Sequence, residues 1–222
     1  MKASDVKISG LAKVLLYGQS GSGKTYAGAK CEKVLHIVWE KQAMTTIVSI
    51  NPNALVYVVN DTGGRSNKEQ YARVSSCLDY LSTNQLPEIE TVVLDSLQEA
   101  YEVILASETE MSGKVSPTLQ IYGIANEYMK KLIKRFRDLN KNIVFIALSK
   151  EETTEEDGLH IRPSLSPGVS SFVYKCCNIV SYLYTDEGDD GGVKRFCRMD
   201  GPSTYTCKGH QSLDKIEPAE ID

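Results

Sequence analysis

The chain has 222 residues, with 25 Lys and Arg against 29 Asp and Glu, a formal net charge of −4, and 41% hydrophobic residues. This is the composition of a globular chain, expected to form a single domain with its core at about residues 11–208. It excludes disordered and collagen-like classes, and a global basic field that would draw in nucleic acid. No apolar run approaches the ~18 residues of a membrane span, and Met1–Gly10 lacks the apolar core of a signal peptide, so a soluble, cytoplasmic protein with no membrane partner is expected.

In chain order, Val14–Tyr17 reads as a short buried strand, followed by a glycine-rich turn and a helix from Lys24 to about Cys31. Val34–Trp39 and Leu55–Val59 are further strands, and Asn67–Leu81 sets Tyr71, Val74, Leu78 and Leu81 at helical spacing. Thr91–Leu94 is a strand leading into a helix over Leu97–Ala106. The strongest helical stripe is Ile121, Ile124, Ala125, Tyr128, Met129, Leu132, Ile133 and Phe136, within Leu119–Leu139. Ile143–Leu148 is a continuously apolar strand; after a long polar segment, Ile179–Tyr184 and Val193–Met199 read as strands flanking a turn-rich tip. Continuous apolar strands interleaved with helices imply an α/β sheet covered on both faces. The six cysteines form no C-x-x-C pair; Cys176-Cys177 reads as a buried stretch, and the thiols as reduced.

Gly18-Gln19-Ser20-Gly21-Ser22-Gly23-Lys24-Thr25 matches G-x-x-x-x-G-K-[ST] between an apolar strand and a helix-compatible segment. Glycine permits the positive φ angles that turn successive backbone N–H groups towards a phosphate. A helix N-terminus adds partial positive charge. Lys24 is placed to reach the β- and γ-phosphates of a nucleotide, and the Thr25 hydroxyl to ligate Mg²⁺. Thr91-Val92-Val93-Leu94-Asp95 ends a strand in a carboxylate, the type of residue required on the Mg²⁺ side of such a site.

Hydrolysis also needs a group to position the attacking water. Asp95 is followed by Ser96 rather than Glu, so the candidate is Glu40, at the end of the second strand, with Asp61, at the end of the third, as the alternative. Ser149, ending the fifth strand, is a candidate γ-phosphate sensor.

With Gly18–Thr25, Glu40, Thr91–Leu97 and Asn142–Lys150 placed, the chain resembles the RecA-like P-loop ATPases and, more narrowly, the phage nucleotide-binding protein family, which includes phage single-strand-annealing recombinases. The resemblance runs from Val14 to Lys208 and takes in the Arg162–Gly168 segment and a closing β-hairpin. It implies a mostly parallel sheet with a C-terminal antiparallel hairpin, and ATP and Mg²⁺ as ligands. It also implies Glu40 as the catalytic glutamate and single-stranded DNA as a partner. The sequence departs from the family in writing Leu148-Ser149-Lys150 where a polar sensor, often His or Gln, is usual, and Lys41-Gln42-Ala43 after Glu40.

The DNA-binding loops of RecA-like proteins correspond to Met111–Pro117 and Glu151–Ser171. The first offers Lys114, the second His160 and Arg162 with Lys175 beyond; but the second opens with Glu151, Glu152, Glu155, Glu156 and Asp157, which repel phosphates. Lys130, Lys131, Lys134, Arg135 and Arg137 read as the solvated face of an amphipathic helix, and Asp186, Glu187, Asp189 and Asp190 as a charged hairpin tip. Trp39 and His36 read as structural. Lys194, Arg195 and Lys208 are candidates for acting in trans on a neighbouring subunit's γ-phosphate in a homo-oligomer. The expectation is an Mg²⁺-dependent ATPase acting on single-stranded DNA. The alternatives are a small-molecule phosphotransferase, for which Arg162 is alone in its loop without an arginine-rich lid, and a nucleotide-gated binding module that scarcely hydrolyses.

Overall fold

A computed structural model describes residues 10–39, 41–154, 158–187, 193–199, 204–209 and 219–220. The strands are β1 (Lys13–Gly18), β2 (Val34–Val38), β3 (Leu55–Val58), β4 (Thr91–Asp95), β5 (Asn142–Thr154), β6 (Gly158–Pro163), β7 (Ile179–Glu187), β8 (Val193–Arg198) and β9 (Ala219–Glu220). The helices are α1 (Lys24–Ala29), α2 (Lys41–Ile50), α3 (Asn67–Thr83), α4 (Leu97–Met111), α5 (Leu119–Arg137) and α6 (Pro167–Cys176).

Along the sheet the order is β3-β2-β4-β5-β1-β7-β8-β9, with β6 paired to β5 off this path. From β3 to β7 every neighbouring pair is parallel; β7–β8, β8–β9 and β5–β6 are antiparallel. The strand leading into the glycine-rich turn and the strand ending in Asp95 are therefore separated by β5, whose Ile146 is level with Asp95 and whose Leu148 is level with Gly18.

Period-2 alternation sends the two halves of each strand into different cores. Leu15, Tyr17, Ile37, Val92, Leu94, Phe145 and Val180 pack beneath α3, α4, α5 and α6, meeting Leu78, Ile104, Met129, Phe136 and Val173. On the opposite face Val34, Val93, Val144 and Ile146 form one cluster, and Val38 and Val58 join Ala29 and Ile47 beneath α1 and α2. Burial on both faces is why these strands read as unbroken apolar runs; each fully buried Leu, Ile or Phe stabilises the fold by roughly 1.5–3 kcal/mol. Trp39, Cys176 and Cys177 are buried, and so is His36, whose burial lowers its pKa to about 4 and keeps it neutral. Gly28 lets α1 approach the sheet: a Cβ there would stand 3.2 Å from Val93 and 3.3 Å from His36.

One element is absent from the sequence reading and one expectation is corrected. Lys41–Ile50 carries no strong helical signal, since Thr45, Thr46, Ile47, Val48 and Ile50 are all β-branched, yet it forms α2 and buries Ile47 completely. Glu151–Ser171, read as a loop, is instead the far half of β5, the strand β6 and the start of α6. Glu152 on β5 pairs with Arg162 across the β5–β6 ladder and with Lys150 (2.7 Å) on its own strand, so this carboxylate is offset by neighbouring opposite charges. Pro167 in the first turn of α6, behind Ser166, is a helix-start signal that the polar surroundings hid. Among the described residues no helix is long and apolar enough to cross a membrane.

Candidate functional site

The glycine-rich turn begins where β1 ends against β7. A Cβ on Gly18 would lie 2.2 Å from the Leu183 carbonyl oxygen and 2.6 Å from Ser22 Oγ, so the turn exists only with glycine there. Gly18→Ala is expected to lower stability by about 3 kcal/mol, which a thermal melt reads as a Tm fall of roughly 6–12 °C. Gly21 and Gly23 hold φ angles of 80° and 93°, the left-handed region. Ser22 is buried, and its amide donates to the Gln19 carbonyl at 3.2 Å, closing the turn before α1 starts.

Lys24 is only 8% exposed. Its ammonium donates to the carbonyls of Gly18 (3.0 Å) and Gln19 (2.6 Å) and to Ser22 Oγ (3.4 Å), all neutral acceptors. Burial pushes its pKa down, and the nearby Asp95 charge only partly opposes this. Among the described residues no carboxylate forms an ion pair with it, so the loop presents a desolvated positive charge to anything seated above. That arrangement fits an anion.

Thr25, the next residue, donates its hydroxyl to Asp95 Oδ2 at 2.7 Å. Burial raises the Asp95 pKa, against the lowering effects of the Thr25 hydrogen bond and the Lys24 charge. A hydroxyl and a carboxylate touching across the mouth of the loop are hard oxygen donors of the kind Mg²⁺ takes. Ser96 fixes the backbone directly after the carboxylate. It caps α4 in a reciprocal box, accepting from the Glu99 amide while the Glu99 carboxylate accepts from the Ser96 amide.

These groups line a cleft of about 580 Å³ together with Ser20, Gly21, Gly23, Gln98, Ile146 and Arg195 of β8. Gln98 is a residue that sequence reasoning missed. Its side-chain oxygen accepts from the Leu148 amide (3.0 Å) and its nitrogen donates to the Ser164 carbonyl (3.0 Å), tying α4 to the middle of β5 and to the segment before α6. The signal available was a polar residue in the first turn of the helix after Asp95.

A family model described as an AAA domain, AAA_24, matches residues 11–210. The chain belongs to this AAA-domain family. No curated protein matches it. Among solved structures, it is similar to an ATPase of the type III secretion system of pathogenic bacteria (TM-score 0.50, 12% identity, 78% of this chain and 51% of that one). It is also similar to the flagellar accessory protein FlaH from Methanocaldococcus jannaschii (TM-score 0.46, 10% identity, 84% of this chain and 76% of that one). The chain thus spans about half the length of the secretion ATPase. With the strand order around β1, the family and the first of these likenesses make the fold a RecA-like P-loop fold with an antiparallel β7–β8 hairpin, as the resemblance implied.

The remaining candidate residues of this AAA-domain protein differ in their surroundings. Glu40 lies outside the described residues; β2, which leads towards it, ends at Val38, level with Asp95. Asp61 accepts from Arg65 Nε (2.7 Å) and Arg73 (3.3 Å), which hold its carboxyl below the ordinary range. Those two guanidiniums leave it a poor base. Ser149 does not end its strand, as expected, but lies mid-way along β5, which runs on to Thr154 because it pairs there with β6, Ser149 opposite Pro163; Ile146 and Leu148 line the cleft. Gln19 donates to Glu151 at 3.3 Å, linking the loop to that hairpin. On α5, Lys130 pairs with Glu127, Arg135 with Asp79 and Arg137 with Asp138, as a solvated face would. Lys208 donates to the Cys177 carbonyl at 2.8 Å. Asp189 and Asp190 lie outside the described residues, among which no group of three or more His, Cys, Asp or Glu side chains is placed to hold a metal.

Proposed function

We propose that this protein binds ATP with Mg²⁺ in the cleft above α1 and hydrolyses it. The observation that carries the reading is the Lys24 ammonium, buried on neutral acceptors beside a Thr25–Asp95 hydroxyl–carboxylate pair. Gly18, Gln19, Ser20, Gly21, Ser22 and Gly23 wrap the phosphates, Lys24 neutralises the outer ones, and Thr25 and Asp95 hold the metal. When bound, Mg²⁺ supplies charge neutralisation at the β- and γ-phosphate oxygens. Glu40 is the proposed water-positioning residue, supported by its place two residues beyond the end of β2. Ser149 is the proposed sensor, acting from the strand whose preceding residue is anchored by Gln98.

Resemblance to the phage nucleotide-binding proteins extends the proposal to single-stranded DNA, with ATP turnover coupled to recombination or strand annealing in the cytoplasm. The test is release of inorganic phosphate from MgATP, with and without single-stranded DNA, across a salt series. DNA-stimulated release that fades steeply with salt supports both parts. Release indifferent to DNA leaves an ATPase without that partner, and phosphate passed to a small acceptor makes the protein a phosphotransferase. Glu40→Gln is expected to lower turnover by roughly 10²–10³-fold while leaving ATP affinity intact; unchanged turnover removes Glu40 from the chemistry.

A further inference from the structure

The hairpin β7–β8 carries a cation to the phosphate loop of its own chain. Arg195 pairs with Thr185 in the ladder, two residues beyond Leu183, whose register partner on β1 is Gly18. Its side chain lies across Gly23: Cδ is 2.8 Å and Nε 3.3 Å from where a Cβ on Gly23 would stand. Glycine at 23 therefore leaves room for the arginine stem as well as permitting the left-handed turn. Arg195 Nε is buried and has no hydrogen-bond partner among the described residues, although it lines the same cleft as Lys24, Thr25 and Asp95. An N–H withheld from water and left unpaired is costly, and a phosphate oxygen would satisfy it with a charge-assisted bond.

We infer that Arg195 is a phosphate ligand in cis, gripping the nucleotide held by its own loop rather than a neighbour's. The inference rests on the proposed nucleotide-binding role of the cleft. Sheet order decides which part of the ligand it serves. Asp95 stands on β4, two strands to one side of β1, and Arg195 on β8, two strands to the other. Thr25 and Asp95 would hold a metal serving the outer phosphates on their flank, so the arginine is assigned to the opposite flank and to the inner phosphates that ATP and ADP share. It contributes uniform binding to both nucleotides, in contrast to a γ-phosphate finger, whose loss falls on turnover.

The experiment measures MgATP and MgADP affinity by calorimetry for the parent, Arg195→Ala and Arg195→Met, the last keeping the stem that packs on Gly23. Both variants are expected to bind both nucleotides roughly tenfold to a hundredfold more weakly, with similar losses for each, and Arg195→Lys to recover part. At ATP concentrations below the parent's Kd, where weaker binding lowers the rate, mixing Arg195→Ala with Lys24→Ala protein is expected to give no more turnover than the sum of the two alone, because no subunit then holds an intact cis pair. ADP affinity unchanged in Arg195→Met overturns the inference, as does turnover restored on mixing, which would show action in trans. If the parent binds neither nucleotide, the proposed function and this inference fall together; if it binds both and the variants match it, only the arginine's role falls.

Discussion

Lys24→Ala is expected to weaken MgATP binding by about a hundredfold or more, because a charge-assisted contact in a desolvated loop contributes up to ~3 kcal/mol. The same substitution is expected to leave the nucleotide-free fold nearly as stable as the parent. The ammonium is buried on neutral carbonyls, and burial holds its pKa below the ordinary lysine value. A lysine shifted that way costs stability at every pH below its folded-state value, so removing the charge offsets the loss of its hydrogen bonds. Thermal melts separate the two effects. The parent gains about 2.7 kcal/mol at a ligand concentration a hundred times Kd, whereas the variant's Tm without ligand should stay within about 2 °C of the free parent's and rise by no more than about 1–2 °C at the same ATP concentration. A parental response to MgATP in Lys24→Ala would contradict the role given to this residue.

Asp95→Asn should uncouple stability from turnover more sharply. The amide still accepts from the Thr25 hydroxyl, which sits 2.7 Å from the carboxylate, but offers the metal no charge. Turnover is expected to fall by roughly 10²–10³-fold, the scale of removing one preorganised electrostatic group. The nucleotide-free chain should become more stable by about 1 kcal/mol, or roughly 2–4 °C in Tm. The sign comes from burial, which raises the Asp95 pKa above its value in the unfolded chain. The folded protein therefore holds the proton longer, and stability is lost as pH climbs from the unfolded value through the folded one. At acid pH parent and variant should melt together, and the gap should open towards neutrality. A gap that closes with rising pH, or is absent throughout, would show that Asp95 is not a buried carboxylate poised for a cation.

These two variants probe the part of the site that is legible in the amino-acid sequence. The loop from Gly18 to Thr25 is eight consecutive residues whose types reflect local backbone geometry, and Asp95 closes an unmistakable buried strand. Their meeting at Thr25 Oγ1 depends on a strand order that a RecA-like resemblance implies. The parallel strands, β8 and most helices are equally legible, because burial on both faces writes long apolar runs and burial on one face writes a 3.6-residue stripe. α2 and the β5–β6 hairpin are not, since β-branched residues in one and clustered carboxylates in the other contradict the structure that neighbours impose.

Gln98 and Arg195 mark the same boundary within the site. Gln98 acts through the Leu148 amide and the Ser164 carbonyl, and Arg195 through its approach to Gly23; each depends on a partner distant in the chain. Arg195 is visible in the sequence only as a cation on a hairpin, with a neighbouring subunit as its expected target. What the amino-acid sequence determined alone was the chemistry of the loop, the carboxylate at the end of its strand and the α/β class, all set by residues adjacent in the chain or by the period of burial. What tertiary structure decided was which distant side chains share the cleft. The pairing of β7 with β1 and of β8 with β7 carries Arg195 to its own chain's phosphate loop, and no local pattern encodes that distance.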